Sequence, residues 1–199
     1  PSSKTLKKEM FPIIDRDGRC KPVIMAIVEQ VLNAGIEDVG IIIQEADREL
    51  FEDFFHTNLA IEHANKLSKE DQRYMQHIMD IGNKVTLLIQ ESQEGFGHAV
   101  HCAKEWVGNE PFILMLGDHL FSSDTDIPCI QQLIELYEKT GRSVVGLRET
   151  PAEKVKQFGC ATGVWEADGN MLSITEFAEK PSVDYAKEHL ETQDVKDDH

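Results

Sequence analysis

The sequence has few basic residues and no apolar run long enough to cross a membrane. Among its 199 residues, 20 are Lys or Arg and 36 are Asp or Glu, so the formal net charge is -16. This excess of negative charge argues against nucleic acid or an anionic membrane as the main partner. No segment approaches the roughly 18–20 apolar residues of a membrane span, and the start has no signal-peptide pattern. We therefore expect a cytoplasmic protein with no nucleic-acid and no membrane partner.

The cysteines are too few and too scattered to organise the fold. The sequence has four, and they lie at Cys20, Cys102, Cys129 and Cys160. No two of them have the C-x-x-C spacing of a zinc or redox motif, and no histidine supplies a ligand spacing beside them. The pattern therefore predicts neither a disulfide framework nor a zinc site, and the cysteines are expected to be reduced thiols.

Helical and strand patterns alternate along most of the chain. Residues 22–34 carry apolar side chains at helical spacing and end at Gly35, which suits a helix C-cap. Further helices are predicted for residues 48–55, 68–81, 97–106 and 128–139, and strands for residues 38–43, 84–89, 111–116 and 142–147. The alternation predicts an α/β fold, a Rossmann-like and mostly parallel sheet flanked by helices. Ligands of such sheets bind beyond the carboxyl ends of the strands.

The pattern changes after Pro151. Two short strand-like pieces, residues 161–166 and 171–178, flank a turn signal at residues 167–170. We predict a β-hairpin extension of the sheet here. Residues 188–199 are rich in charge and nearly free of apolar side chains, so this acidic tail is predicted to be disordered.

Asp118 is a candidate metal ligand. It follows an apolar run and Gly117, which allows a sharp turn and a close approach to a ligand. A carboxylate at the end of a strand is suited to Mg²⁺. The same residue would be equally suited to form a turn or to cap a following helix, and the spacing alone does not decide between these roles.

A glycine-rich turn follows the second predicted strand. Gly95 and Gly97 precede an expected helix, so backbone N–H groups there can approach a ligand closely. Gln90 lies just before them, and its amide offers a donor and an acceptor to a base edge such as that of uracil. The alternative is a tight connection between a strand and a helix with no ligand.

Charged groups near both ends of the chain suit a phosphorylated substrate. Lys4, Lys7 and Lys8 form a basic cluster in an acidic chain, although such clusters are usually solvated surface. Glu179 could accept from sugar hydroxyls, and Lys180 could bind a phosphate. His98 and His119 lie beside these turns, but an ionised phosphate nucleophile needs no histidine base, so we do not expect them to act as acid–base groups.

Five motifs in this order resemble those of the bacterial UTP-glucose-1-phosphate uridylyltransferases, also called UDP-glucose pyrophosphorylases, of the sugar-phosphate nucleotidyltransferase superfamily. The resemblance covers nearly the whole chain. It includes a long helical insertion at residues 55–82, which is typical of this branch. The motifs are Lys4 through Lys8-Glu9-Met10-Phe11-Pro12, Gly95-Phe96-Gly97-His98-Ala99-Val100, Leu116-Gly117-Asp118, Phe158-Gly159 and Glu179-Lys180-Pro181.

The resemblance implies a nucleotide-diphospho-sugar transferase fold and Mg²⁺-dependent transfer from UTP to glucose 1-phosphate, giving UDP-glucose and pyrophosphate. Lys8, Asp118 and Lys180 would be the catalytic residues. The implied contacts are Lys8 with phosphates, Gln90 and Gly95 with uracil, Asp118 with Mg²⁺, Gly159 and Glu179 with the sugar, and Lys180 with the sugar phosphate.

Two parts of the family pattern are not found in the sequence given. The Gly-x-Gly-Thr-Arg signature would lie just before Pro1, and the segment that completes the sugar site would follow His199. We therefore expect residues 1–187 to be a nucleotidyltransferase core without these parts, one that could be inactive alone and that forms a homo-oligomer in a full-length parent. A non-catalytic nucleotide-sugar binding or regulatory module of the same fold is the alternative.

Overall fold

The computed structural model describes residues 7–56, 66–166, 169 and 171–192. The chain divides into two compact units, Pro1–Thr140 and Gly141–His199. None of the helices in the described ranges combines the length and apolar character needed to cross a membrane.

The described residues form six strands in three pairs. The pairs are β1 with β2 (antiparallel), β3 with β4 (parallel) and β5 with β6 (antiparallel). Their bounds are β1 Pro12–Ile14, β2 Cys20–Pro22, β3 Val39–Ile43, β4 Val85–Ile89, β5 Gly159–Trp165 and β6 Leu172–Glu179.

The helices lie between and after these strands. The α-helices are α1 Val23–Asn33, α2 Arg48–His56, α3 Lys69–Gly82, α4 Phe96–Cys102, α5 Lys104–Val107, α6 Cys129–Thr140 and α7 Val183–His189. Short 3₁₀ turns occur at Lys8–Met10, Glu45–Asp47 and Ala152–Gln157. The mixed α/β class is confirmed, and so is the β5–β6 hairpin.

The core of the first unit is the interface of α1, α2 and α3 with the parallel pair. Met25 is fully buried, and Val28 and Phe55 are nearly so. The register runs from Val39 opposite Val85 to Ile43 opposite Ile89. Because the pair is parallel, both carboxyl ends lie at one edge, so the segments after β3 and β4 leave the sheet together.

Two strand predictions are wrong. Residues 111–116 and 142–147 form no strand, although both are apolar and β-branched enough to suggest one. Their large side chains stay exposed, with Phe112 at 59% and Val145 at 51%. A strand requires hydrogen-bond partners on a neighbouring backbone as well as apolar residues. Neither segment pairs with a strand among the described residues. Only one parallel pair is therefore seen there, where a larger parallel sheet was expected.

A hairpin and an α-helix in the described part of the chain were not predicted. The β1–β2 hairpin closes through Asp17-Gly18, a known hairpin signal, with Gly18 at φ +76. Helix α7 begins after Ser182, whose side chain accepts from the Tyr185 N–H as an N-cap. Because α7 includes residues 188 and 189, and Leu190 after it is buried against Val155, the prediction of a disordered tail is wrong for these residues. Residues 193–199 of that tail, and positions 167, 168 and 170 of the predicted turn, lie outside the described residues.

Candidate functional site

The first cluster joins the start of the described chain to the turn at Asp118. Lys8 Nζ lies 3.3 Å from Asp118 Oδ2, and both side chains are partly exposed. The His119 N–H donates to the Leu116 carbonyl and closes a turn around Gly117 and Asp118. A Cβ on Gly117 would lie 3.1 Å from Glu9 Cγ, so glycine lets this turn lie against the 3₁₀ turn that carries Lys8.

The basic cluster predicted near the start is divided. Lys7 pairs with Asp47 at 2.9 Å, whereas Lys8 pairs with Asp118. Lys4 lies outside the described residues. Lys8 is thus the lysine of the described pair that shares a site with the candidate metal ligand.

Asp118 is the candidate ligand for Mg²⁺. Among the described residues, no group of three or more His, Cys, Asp or Glu side chains could hold a metal. Mg²⁺ is commonly bound through one or two carboxylates, with waters and substrate phosphates completing its shell. The single carboxylate of Asp118, beside a lysine suited to phosphate, fits that kind of site and not an all-protein cage.

The second cluster forms where β4 ends. Gln90 Nε2 donates to the Gly95 carbonyl at 3.3 Å and lies 3.1 Å from His98 Nδ1. Gly95 is the N-cap of α4 and has φ +103, a conformation that side-chain-bearing residues rarely adopt. The structure therefore places the Gln90 amide against the glycine turn, and the role of both at uracil stays a prediction.

An open cavity of about 230 Å³ adjoins this cluster. It is lined by Ile89, Glu91, Ser92, His98 and Cys102. Asp118 is not among these residues. This cavity therefore does not connect the cluster of Lys8 and Asp118 with the cluster of Gln90 and Gly95.

The third cluster lies in the second unit. Gly159 of β5 pairs with Glu179 of β6, and a Cβ on Gly159 would lie 3.0 Å from Glu179 Oε2. Lys180 Nζ lies 3.3 Å from Glu179 Oε1. Lys180 also has φ +48, which is unusual for a residue other than glycine, and its N–H donates to the Phe158 carbonyl. Gly159 and Glu179, assigned by resemblance to the sugar, and Lys180, assigned to its phosphate, are thus adjacent.

The thiols behave as expected. Cys20, Cys102, Cys129 and Cys160 are all free. Burial, together with the Glu179 carboxylate, raises the pKa of the Cys160 thiol above its ordinary value, which lowers the fraction present as reactive thiolate.

The sequence reasoning missed a buried lysine. Lys21 is 3% exposed, and its ammonium lies 3.1 Å from Asp15, 2.8 Å from Asp17 and 2.7 Å from Glu29. Burial by itself would lower the pKa of Lys21, but hydrogen bonds to Asp17, Glu29 and Asp15 outweigh it and raise that pKa. The ammonium holds the β1–β2 hairpin against α1, a structural role.

Comparison with known proteins gives the family. A family model described as "Nucleotidyl transferase" matches residues 1–193. The UTP–glucose-1-phosphate uridylyltransferase of Staphylococcus epidermidis is 37% identical over 192 residues, which are 96% of this chain and 63% of that protein. The chain therefore spans less than two thirds of that relative.

Solved structures give the same result. A crystal structure of apo UDP-glucose pyrophosphorylase is similar with a TM-score of 0.76 and 34% identity, over 91% of this chain and 64% of the other. The structure of a UDP-glucose pyrophosphorylase complexed with UDP-glucose is similar with a TM-score of 0.73 and 32% identity, over 91% of this chain and 63% of the other. By these matches the chain belongs to the nucleotidyl transferase family.

Proposed function

We propose that the protein transfers a uridylyl group from UTP to glucose 1-phosphate, giving UDP-glucose and pyrophosphate. The observation that carries the proposal is the 37% identity over 96% of the chain to a UTP–glucose-1-phosphate uridylyltransferase. The clusters around Lys8, Gln90 and Glu179 support it, because they offer groups for phosphate, base and sugar.

In the proposed reaction, a phosphate oxygen of glucose 1-phosphate attacks the α-phosphorus of UTP. A new P–O bond forms as the bond to the leaving pyrophosphate breaks, in line. The nucleophile is already ionised, so no side chain needs to remove a proton. The protein's part is to position the two anions and to neutralise their charge, which is the role assigned to Lys8 and Lys180.

Mg²⁺ is part of the proposal. Asp118 would be its protein ligand, and the metal would supply charge neutralisation to the phosphate oxygens. Gly159 and Glu179 would contact the sugar. Assembly of a longer parent into a homo-oligomer remains a prediction.

The function can be tested in one assay. The 199-residue chain is mixed with UTP, glucose 1-phosphate and Mg²⁺, and pyrophosphate release is followed. We expect release that needs both substrates and that stops when EDTA removes the metal. Binding of UTP without any release would restrict the transferase activity to a longer parent chain or favour the nucleotide-sugar binding module, and binding of neither substrate would reject both functions.

Gln90 is expected to contribute to UTP binding. Replacing it with alanine removes the amide that faces the glycine turn, and we expect UTP affinity to fall by about 1–3 kcal/mol, the cost of leaving a buried base group unpaired. Gln131→Ala serves as the control, because this glutamine lies in α6 and its amide donates to Glu135. Calorimetric titration with UTP measures both. An unchanged affinity for the Gln90 variant would remove this residue from the base site.

A further inference from the structure

The half-buried His98 lies against the side chain that we assign to the base. From this contact we infer that His98 is a positioning residue. It orients the Gln90 amide so that only its carbonyl oxygen faces the ligand, and this selects uracil over cytosine. The inference rests on the proposed function, since it concerns the base of the nucleotide.

The orientation of the Gln90 amide follows from its partners. The Gly95 carbonyl can only accept, so the atom 3.3 Å from it is the amide nitrogen Nε2. The same nitrogen lies 3.1 Å from His98 Nδ1. These two contacts occupy both hydrogens of the amide, and none of the described residues donates to Oε1. The amide is thereby left as an acceptor only.

The contact also sets the state of the imidazole. Nδ1 can accept from Gln90 only when it carries no proton, so the hydrogen of the neutral ring is on Nε2. Nε2 lies 4.0 Å from Cys102 Sγ, a weak acceptor one helical turn further along α4. The two ring nitrogens therefore have compatible partners, one on each side.

An acceptor at Gln90 Oε1 discriminates between pyrimidines. Uracil carries a hydrogen on N3, whereas N3 of cytosine is an unprotonated acceptor and would face Oε1 with no hydrogen between them. Without an acceptor at His98, only the 3.3 Å contact with the Gly95 carbonyl holds the amide, and because the terminal torsion of glutamine is broad, the amide can turn to present either group. The preference for uridine would then fall. Gln90 could turn its NH₂ group to donate to N3 of cytosine, and its Oε1 would no longer be held in place to accept from N3 of uracil.

The test compares UTP and CTP binding to three proteins by calorimetric titration. His98→Asn places an amide oxygen where Nδ1 lies, so it keeps the acceptor. His98→Leu removes it. We expect the wild type and His98→Asn to prefer UTP to a similar degree, and the ratio of UTP to CTP affinity to fall about tenfold in His98→Leu, the effect of one ordinary hydrogen bond.

A second measurement does not depend on nucleotide or on how the variants fold. The ¹⁵N resonances of the His98 imidazole in the wild-type protein near pH 8 should show Nε2 protonated and Nδ1 bare. The inference is overturned by a proton on Nδ1, by an unchanged base preference in His98→Leu, or by equal losses in both variants. These results would leave the proposed function standing if the wild type still prefers UTP. A wild type that binds neither nucleotide would overturn both.

Discussion

Asp118→Asn is expected to lower the rate of pyrophosphate release by about 10²–10³-fold. Asparagine keeps the shape and one oxygen of the carboxylate but loses its charge. Both proposed interactions of Asp118 then weaken, with Mg²⁺ and with Lys8, whose Nζ lies 3.3 Å away. Because these interactions act on charge that develops during transfer, we expect kcat to fall more than UTP affinity. Initial rates at saturating UTP and glucose 1-phosphate measure the effect.

The matched control is Asp124→Asn, an exposed carboxylate of the same loop. It should leave the rate within about twofold, the range of surface substitutions. Raising Mg²⁺ should partly restore the Asp118 variant if its defect is metal binding. A rate equal to that of the wild type would remove Asp118 from the site and leave the loop with a turn-forming role only.

The second large effect is expected on stability. Lys21→Met should lower the free energy of unfolding by about 3 kcal/mol, since it leaves carboxylates of Asp15, Asp17 and Glu29 close together without their cation. Methionine fills a similar volume, so the loss reflects charge and hydrogen bonds more than packing. Urea unfolding at neutral pH measures it.

Lys7→Met is the control for Lys21. Lys7 also forms an ion pair, with Asp47 at 2.9 Å, but its side chain is 45% exposed. Exposed pairs contribute about 1 kcal/mol or less, so this variant should differ little from the wild type. Equal losses of unfolding free energy in the two variants would show that the buried ion pairs of Lys21 stabilise the protein no more than the exposed pair of Lys7.

The same network gives a pH dependence. The hydrogen bond from Lys21, with that from the Arg19 N–H, holds the pKa of Asp17 below its ordinary value near 3.8. A carboxyl pKa that folding lowers adds stability, and this contribution is complete when the pH is above the unfolded-state pKa. It is lost as the pH falls through the folded-state pKa. The wild type should therefore lose stability as the pH drops below about 4, and Lys21→Met should lose less over the same range.

Predictions that depend on local pattern agree with the structure. Helix α1 was expected at residues 22–34 and is found at Val23–Asn33, because its apolar spacing and the left-handed Gly35 that follows the Ala34 cap act within one segment. Strands β3 and β4 also lie where they were predicted, because each is a mostly apolar run within one short segment. The contact of Gln90 with Gly95 was also predictable, since only a turn separates them.

Predictions that need a distant partner agree less well. Residues 111–116 have the composition of a buried strand, yet a strand forms only where another backbone completes its hydrogen bonds. The ammonium of Lys21 is buried although lysine is among the residues least often buried, because three carboxylates from the hairpin and α1 surround it. The sequence pattern of a single segment cannot predict that carboxylates from two elements surround one lysine.

The sequence by itself determined the α/β class, the family motifs and the pairing of a glutamine with a glycine turn, since all of these depend on residues close together in the chain. Only the tertiary structure decided that Lys8 meets Asp118, that Lys21 is enclosed and that His98 lies 3.1 Å from Gln90. The first joins residues separated by more than a hundred positions, and all three depend on side-chain directions that the packing of the elements sets.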